Sequence, residues 1–416
     1  MYAQHFRSAT RSVSESAFDY LKGLFVSQKK NCQVIASEIK NKNYQALHHF
    51  LVNSKWNEND LVDKLAMNSA NLLQSRFRQD DLCLLIDESA RKKQGKKSAG
   101  VSHQYCGELG KNANCQVGVF AALNAGCITN IIAGKLYKPD EQSTKIDLAL
   151  ELIKHVVQDL SIPINWVGFD AFYGRDSKFL SALNKLNITY MADVPENLNI
   201  WLEPFQMRVP AKNGLRGRAP EKRKPNQDSI SIKNYCKSLN RSDWQFIKIR
   251  HSSKGKLKAF FHRKNVFIID PNTNKRMALT LLIRRDKNGD IKYTFTNTDA
   301  SETLKRLAYM QCKRFFIEQS FKESKGELGM GQYQTRSEIG WHRHMIMCML
   351  AMLFINQEKL RSFITEKIKI STQQLVKLIN FISCSRISDA IDLIHEILSK
   401  RPPDKTSIKK LMYLRI

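Results

Sequence analysis

The sequence predicts an α/β fold, in which a mixed-sheet core is interrupted by a β-rich insertion and flanked by helical N-terminal and C-terminal regions. Three observations predict it. Short apolar runs alternate with helical patterns over residues 81–195, strand-like runs dominate residues 196–299, and helical spacing of apolar residues returns from residue 300. Strands that alternate with helices are typical of a sheet whose faces are covered by helices.

Residues 1–80 form the first predicted region, which is helical. The apolar spacing in AFDYLKGLFV (17–26) and ALHHFLV (46–52) suits helices with one buried face. A further helix is predicted in NENDLVDKLA, where either Asn57 or Asn59 could be the N-cap.

Residues 81–195 are predicted to be the first part of the core. Five apolar runs predict strands, and they are DLCLLID (81–87), CQVGVFAAL (115–123), CITNIIAG (127–134), INWVGFD (164–170) and ITYMADV (188–194). Asn124-Ala125-Gly126 predicts a hairpin between the second and third. Helices are predicted at 143–160, capped by Ser143 or Thr144, and at 176–186. A hairpin followed by right-handed crossovers is the order of the ribonuclease-H-like fold.

Residues 196–299 are predicted to be a β-rich insertion. It begins with a basic linker at 208–224 and continues with strand-like runs, the last two joined by a turn at Asn288-Gly289. Residues 300–345 are predicted to complete the core with a helix at 314–329. Residues 346–416 form the helical C-terminal region, which RPPDKT (401–406) breaks near its end.

The charge of the chain indicates a polyanionic partner. Its 416 residues include 67 Lys and Arg against 39 Asp and Glu, a formal net charge of +28. Because neutralising phosphates releases counterions, nucleic acid is the first candidate and an anionic membrane surface the second. Residues 1–80 are accordingly predicted to bind DNA, although they contain no recognisable helix-turn-helix.

Other features of the sequence predict a cytoplasmic protein without a membrane partner. The N-terminus lacks the apolar core of a signal peptide. The longest apolar run, MIMCMLAMLFI (345–355), is shorter than the roughly 18 residues of a membrane span and predicts a buried helix. Nine scattered cysteines suit a reducing compartment. A zinc site at His103, Cys106 and Cys115 is not favoured, because no fourth ligand follows at a suitable spacing.

Three carboxylates are candidate metal ligands. Asp87 ends the first predicted strand, Asp170 ends the fourth, and Glu318 lies on the predicted helix 314–329. Each alone could be a turn, cap or surface residue. Together they predict a site for Mg²⁺, with Mn²⁺ as an alternative, since neighbouring carboxylates repel each other without a cation and oxygen ligands select hard ions. At about 100° per residue, Arg314 and Lys325 share the side of Glu318 and could hold phosphate oxygens.

The chain resembles the bacterial insertion-sequence transposases of the DDE type, in the group with a Tyr-Arg-Glu-Lys signature. Arg314, Glu318 and Lys325 match that signature, whereas Gln311 stands at the Tyr position and Tyr309 is out of register. Further similar stretches cover most of residues 40–355, and they are ALHHFLVNSKW (46–56), LIDESARKKQGKKSAGVSHQYCGELGKNANCQVGVF (85–120), FDAFYG (169–174), DVPENLNIWLEP (193–204) and IEQSFKESKGELGMGQYQTRSEIGWHRH (317–344).

The resemblance implies roles for individual residues. Asp87, Asp170 and Glu318 would be the catalytic, metal-binding triad, and Arg314 and Lys325 would contact the transposon-end backbone. An aromatic residue of the insertion, Trp201 or Trp244, would stack on a flipped base, unless both belong to the core. Arg343 could reach phosphate, or with His342 and His344 it could cap or line the next helix.

The resemblance also implies a function. The expected protein is a nucleoid-associated bacterial transposase that, as a homodimer, binds terminal inverted repeats, cleaves the ends with Mg²⁺ and joins the 3′-hydroxyls to target DNA. Two alternatives stay open. One is an inactive transposase-derived DNA-binding protein, and the other is a stand-alone metal-dependent nuclease of the same fold.

Overall fold

The chain divides into two compact units in the computed structural model. The first unit comprises 1–164 with 315–416, and the second comprises 165–314. The predicted motif at 401–406 and part of the predicted basic linker, 212–219, lie outside the described residues. The structure describes residues 2–7, 12–39, 43–211, 220–252, 255–366 and 370–399.

Helices open the first unit, as the sequence predicts. Asn57, not Asn59, caps the fourth of them, and its side chain accepts a hydrogen bond of 3.2 Å from the backbone N–H of Asp60. The faces on which these helices pack together are apolar, and Tyr20, Leu61 and Leu73 are fully buried there. The helices are α1 (Ser14–Val26), α2 (Cys32–Glu38), α3 (Tyr44–Val52) and α4 (Glu58–Gln74).

Strands and one further helix complete this segment. They are β1 (Cys83–Lys92), β2 (Ser102–Cys106), β3 (Lys111–Ala125), β4 (Ile128–Tyr137) and α5 (Lys145–Lys154). Strand β3 pairs antiparallel with β1, β2 and β4. The predicted hairpin is confirmed, and Gly126 at φ +55° provides its left-handed residue. Thr144, not Ser143, caps α5 through a capping box with Asp147.

The second unit contains a mixed sheet. Its elements are β5 (Trp166–Phe169), α6 (Ala171–Gly174), α7 (Ser177–Lys185), β6 (Tyr190–Val194), β7 (Asn199–Ile200), β8 (Met207–Arg208), β9 (Lys224–Pro225), β10 (Ile230–Ser231), α8 (Ile232–Lys237), β11 (Gln245–Ser252), β12 (Gly255–Asp270), β13 (Lys275–Arg285), β14 (Ile291–Thr296) and α9 (Leu304–Gln311).

Strands of the predicted insertion extend the sheet that begins with β5 and β6. Within this unit the order is β5-β6-β14-β13-β12-β11, with β5 and β6 parallel and the other pairs antiparallel. The predicted turn between β13 and β14 is confirmed, and Gly289 adopts φ +91° there. The β-rich segment therefore joins the sheet by the pairing of its last strand, β14, with β6.

The last part of the first unit, from residue 315, is helical, as the sequence predicts for this stretch. Its helices are α10 (Phe315–Glu327), α11 (Glu338–Glu366), α12 (Thr372–Ser383) and α13 (Ile387–Ser399). The apolar run 345–355 lies in α11, and almost all of it is buried, which confirms the predicted core helix. Asn356 fixes α11 against β4, since its amide donates to the Thr129 carbonyl at 3.0 Å.

The observed architecture confirms the α/β class, whereas the ribonuclease-H-like assignment stays a prediction. Within the described ranges, no helix is both long enough and apolar enough to cross a membrane. Seven of the nine cysteines are buried, and all nine are free thiols.

Candidate active site

Asp87 lies in the middle of β1, opposite Phe120 of β3. Directly opposite residues of an antiparallel pair point to the same face, so the two side chains are neighbours. Asp87 is half-buried, and its Oδ1 accepts a hydrogen bond of 2.8 Å from the N–H of Glu88. The prediction that Asp87 ends its strand is wrong. The polar residues that follow it stay in β1 because β3 pairs with the strand as far as Lys92.

Helix α10 packs on this face of the sheet. The ring of Phe321 contacts that of Phe120 edge-on, with 5.5 Å between the centroids. Ile317 and Leu328 are fully buried, and the Ser320 hydroxyl donates to the Thr129 carbonyl at 3.2 Å. Ile317 and Phe321 therefore hold α10 against the sheet.

Glu318 and Lys325 flank Phe321 on α10. They precede and follow it by three and four residues, so the three lie on one side of the helix. Glu318 is exposed, whereas Lys325 is half-buried and donates to the Ala90 carbonyl of β1 at 3.3 Å. Burial lowers the pKa of Lys325, and the negative charge of Glu108 and, to a smaller extent, that of Asp87 oppose this change. The structure thus places Lys325 against β1, the strand that carries Asp87, with Glu318 on the same side of α10.

Asp170 belongs to the second unit, where it follows β5 directly. It caps the short helix α6, and its Oδ1 accepts a hydrogen bond of 3.0 Å from the N–H of Phe172. Burial raises the pKa of Asp170, and the positive charge of Arg314 and two backbone N–H groups oppose this rise. The residue therefore has the capping role that the sequence left open as an alternative.

A second acid, Asp193 of β6, lies near Asp170. Its negative charge also raises the Asp170 pKa. Helix α6 closes tightly on this strand, because a Cβ atom at Gly174 would lie only 1.9 Å from the Asp193 carbonyl oxygen. Glycine is therefore required where the turn after Asp170 meets β6.

Arg314 lies in the turn before α10, which begins at Phe315. The prediction of one helical face carrying Arg314, Glu318 and Lys325 is therefore wrong for Arg314. Its Nε lies 2.9 Å from Asp193 Oδ2, and this ion pair directs the guanidinium to the second unit's own acids.

Gln311, at the family's Tyr position, joins the same network. Its Nε2 donates to Thr294 Oγ1 at 2.7 Å, and that hydroxyl donates to Asp193 Oδ1 at 2.7 Å. Asp193 is thus bonded to Arg314 directly and to Gln311 through Thr294, and these two residues occupy the Arg and Tyr positions of the signature. Sequence reasoning missed this residue, although an acid within the apolar run ITYMADV was a usable signal.

Arg343 is buried among residues of the first unit. Its Nε lies 2.8 Å from Glu58 Oε2, and its guanidinium lies over the Trp56 ring at 4.6 Å. His344 is fully buried next to it on α11. These contacts favour the alternative in which Arg343 and His344 line helix α11. They do not support a phosphate contact by Arg343.

The two candidate tryptophans differ in exposure. Trp244 is buried, and the Arg285 guanidinium covers its ring at 4.2 Å. Trp201 is half-buried, and its Nε1 donates to the Gln227 carbonyl at 3.0 Å. Trp244 therefore belongs to the core, and Trp201 is the more accessible of the two.

The three carboxylates fit a hard divalent cation by chemistry, since every donor is an oxygen. Across the ranges that the structure describes, no three His, Cys, Asp or Glu side chains are gathered as a metal ion requires. The convergence of Asp87, Asp170 and Glu318 on one ion stays a prediction.

Comparisons with known proteins agree with the resemblance. Residues 2–256, more than half of the chain, match the family described as "DDE superfamily endonuclease". The chain is also 32% identical over 219 residues to the "Probable transposase for insertion sequence element IS701" of Microchaete diplosiphon. That match covers 49% of this chain and 56% of the relative, so the chain spans about half the length of the relative. The resemblance to DDE insertion-sequence transposases is thereby confirmed.

Proposed function

Because the chain belongs to the DDE superfamily of endonucleases, we propose that it is the transposase of an insertion sequence. It binds the terminal inverted repeats, cleaves the DNA at each end and joins the 3′-hydroxyl ends to target DNA. It acts as a homodimer, since two ends must be held together. The net charge of +28 supports a DNA partner.

In this proposal Asp87, Asp170 and Glu318 hold the divalent cation. Mg²⁺ bound there would activate a water or hydroxyl and stabilise the leaving oxygen of a phosphodiester. Lys325 binds a phosphate oxygen of the transposon end. Arg314 is bound to Asp193 in this structure, and its DNA contact would require it to leave that carboxylate.

The reaction needs no covalent protein–DNA intermediate. In cleavage, a water oxygen bonds to phosphorus and the P–O3′ bond breaks, which leaves a 3′-hydroxyl and a 5′-phosphate. In joining, that 3′-oxygen bonds to a target phosphorus and displaces the target's own 3′-oxygen. No Ser, Tyr or Cys nucleophile is therefore assigned.

The observation that carries the proposal is the arrangement of Asp87, Lys325 and Glu318. Lys325, a half-buried ammonium group, donates to the Ala90 carbonyl of β1, the strand that carries Asp87, and the Glu318 carboxylate lies on the same side of α10. Carboxylates and an ammonium group on these two neighbouring elements provide ligands for a cation and a partner for a phosphate.

A joining assay tests the proposal. The purified protein is incubated in Mg²⁺ with DNA carrying the gene's own flanking ends and a supercoiled plasmid. Asp170→Ala and the exposed turn variant Asp140→Asn are run beside the wild type, with EDTA as the metal-free arm. Joined products are expected from the wild type and Asp140→Asn only. Cleavage without joining would favour a nuclease, and DNA binding with neither activity would favour an inactive derivative.

A further inference from the structure

A run of cations follows Asp87 along the chain. Residues 91–97, RKKQGKK, contain five cationic side chains and no acid, and we call this segment the basic loop. It starts on β1 and leaves it at Lys92. Such a run is often only a solvated surface. Its backbone contacts and ion pairs show whether it could bind a ligand.

The basic loop is held in place by hydrogen bonds to its backbone. The amide of Asn114 on β3 donates to the carbonyls of Lys93 and Gly95, at 2.8 and 3.0 Å. The N–H of Lys93 donates back to the Asn114 carbonyl at 2.9 Å. Beyond the loop, the N–H of Ala99 donates to the Arg336 carbonyl at 2.9 Å. The loop therefore presents its side chains from a fixed backbone.

Most of its positive charge is not neutralised. Arg91 pairs with Glu108 at 2.6 Å, and Lys93 places its ammonium over the Tyr333 ring at 3.8 Å. Burial and the charge of Arg91 lower the pKa of Lys93 to about 8. Lys96 and Lys97 are exposed, and neither is in an ion pair with any residue of the described part of the chain. Such a cluster attracts an anion.

The position of the basic loop relates it to the candidate site. Asp87, Ser89 and Arg91 alternate along β1 and point to one face. Arg91 and Lys325 line a common cleft with Ser89 and Gln116. At about 3.3 Å per residue, Asp87 and Arg91 are about 13 Å apart along β1, a distance equal to about four base-pair steps of 3.4 Å along a duplex axis.

We propose that the basic loop binds the DNA backbone a few nucleotides from the position of cleavage. The inference rests on the proposed function and extends it by naming the loop as a phosphate-binding surface. DNA is favoured over a membrane because RKKQGKK contains no apolar side chain that could enter a lipid interface. Contacts to phosphate position a protein without reading sequence, so the loop contributes equally on end DNA and on unrelated duplex.

The test is the salt dependence of duplex binding by the full-length protein. Lys96→Gln/Lys97→Gln is compared with Lys154→Gln/Lys377→Gln, a control pair of exposed lysines from α5 and α12 with the same change in charge. Each lost phosphate contact lowers the slope of log K against log salt by about 0.9, so the loop variant is expected to lose about 1.8 and to bind up to about 60-fold more weakly at 0.1 M salt. The control pair keeps the wild-type slope, and Lys96→Arg/Lys97→Arg restores it.

The outcomes separate the loop from the proposed function. An unchanged slope in the loop variant, with DNA joining intact, overturns the inference about the loop alone. A reduced slope in a protein that never joins DNA supports the loop while rejecting the transposase. Loss of binding to vesicles of anionic phospholipid, with the DNA slope unchanged, overturns the inference in favour of a membrane contact. An equal loss of slope in the control pair also overturns it, because the effect is then one of net charge.

Discussion

The Nε atom of Arg314 lies 2.9 Å from Oδ2 of Asp193, and both side chains are 19% exposed. The arginine that the signature assigns to DNA is therefore paired with an acid beside Asp170. Within the second unit, Thr294 and Gln311 extend this pair into a network. Such a network fixes the turn that precedes α10, which carries Glu318 and Lys325.

Breaking this ion pair is expected to destabilise the protein. Asp193→Asn and Arg314→Gln should each lower the free energy of unfolding by about 1.5–3 kcal/mol, the range for a hydrogen bond to a charged group. In the double variant the two losses should not add, because the second change removes a pair that is already broken. Urea unfolding measures both, and Arg175→Gln, exposed in the same unit, serves as control. Strict additivity would contradict the pairing.

The triad is expected to be needed for cleavage and not for DNA binding. Asp87→Asn, Asp170→Asn and Glu318→Gln should each lower the rate of end cleavage by about 10³-fold or more, as expected for groups that act as a unit. Gel-shift affinity for end DNA in EDTA should stay within about threefold of the wild type, since neutralising an acid adds no repulsion. Full cleavage by any one variant would remove that residue from the triad.

Arg343 is expected to contribute to stability. Arg343→Met leaves Glu58 partly buried without its partner, and losing one side of a buried pair costs about 3–5 kcal/mol. The salt slope of DNA binding should not change, because a guanidinium held over Trp56 is not available to phosphate. Thermal unfolding measures the first effect, with Arg361→Met, 74% exposed, as control. If Arg343→Met lowers the salt slope of DNA binding and leaves stability unchanged, Arg343 contacts phosphate after all.

The sequence predicted those elements whose apolar pattern is strong. The helices before residue 80, the hairpin at Gly126 and the buried α11 follow from apolar spacing and turn residues. Strand β2 (SHQYC) was not predicted, because its sequence lacks the alternating apolar residues that mark a strand with one buried face. It forms because β3 extends beyond its apolar part and offers it a backbone edge.

The candidate site was only partly predictable, for a related reason. Helical spacing placed Glu318 and Lys325 correctly, since both lie within α10. Periodicity does not define where a helix starts, and the ion pair with Asp193 keeps Arg314 outside it. For Arg343 the sequence left open a phosphate contact or a role in capping or lining the next helix, and the contacts with Glu58 and Trp56 that bury it favour the second.

Gly174 is expected to tolerate no side chain. In Gly174→Ala the new Cβ would meet the backbone carbonyl of Asp193 at 1.9 Å, and the backbone must move to relieve it. We expect a loss of stability of about 1–3 kcal/mol, in the range for overpacking. The matched control is Gly326→Ala in α10, where a Cβ meets nothing within 4 Å and alanine should stabilise the helix by about 0.4–1 kcal/mol. Equal effects of the two changes in urea unfolding would contradict the close approach of α6 to β6.

His344 is expected to make stability depend on pH. Its Nε2 donates to the Gly329 carbonyl at 3.1 Å, so in the neutral ring Nδ1 accepts from the Tyr20 hydroxyl at 2.8 Å. Burial lowers the pKa of His344 to about 4 from its usual 6.5. Between these values the unfolded chain binds a proton that the folded protein does not, so the free energy of unfolding falls as pH falls from about 6.5 to 4. At about 1.4 kcal/mol per pH unit, the loss approaches about 3 kcal/mol.

The difference between two pH profiles isolates this contribution from that of the carboxylates. His344→Gln should be less stable than the wild type at pH 7 and should show a flatter decline between pH 6.5 and 4. His48→Gln, on the partly exposed side of α3, should follow the wild-type profile. Parallel profiles for the wild type and His344→Gln would mean that His344 is not held neutral in the folded state. Profiles of the wild type and His344→Gln that converge as pH falls would show that a neutral imidazole between Tyr20 and Gly329 stabilises the core around α11.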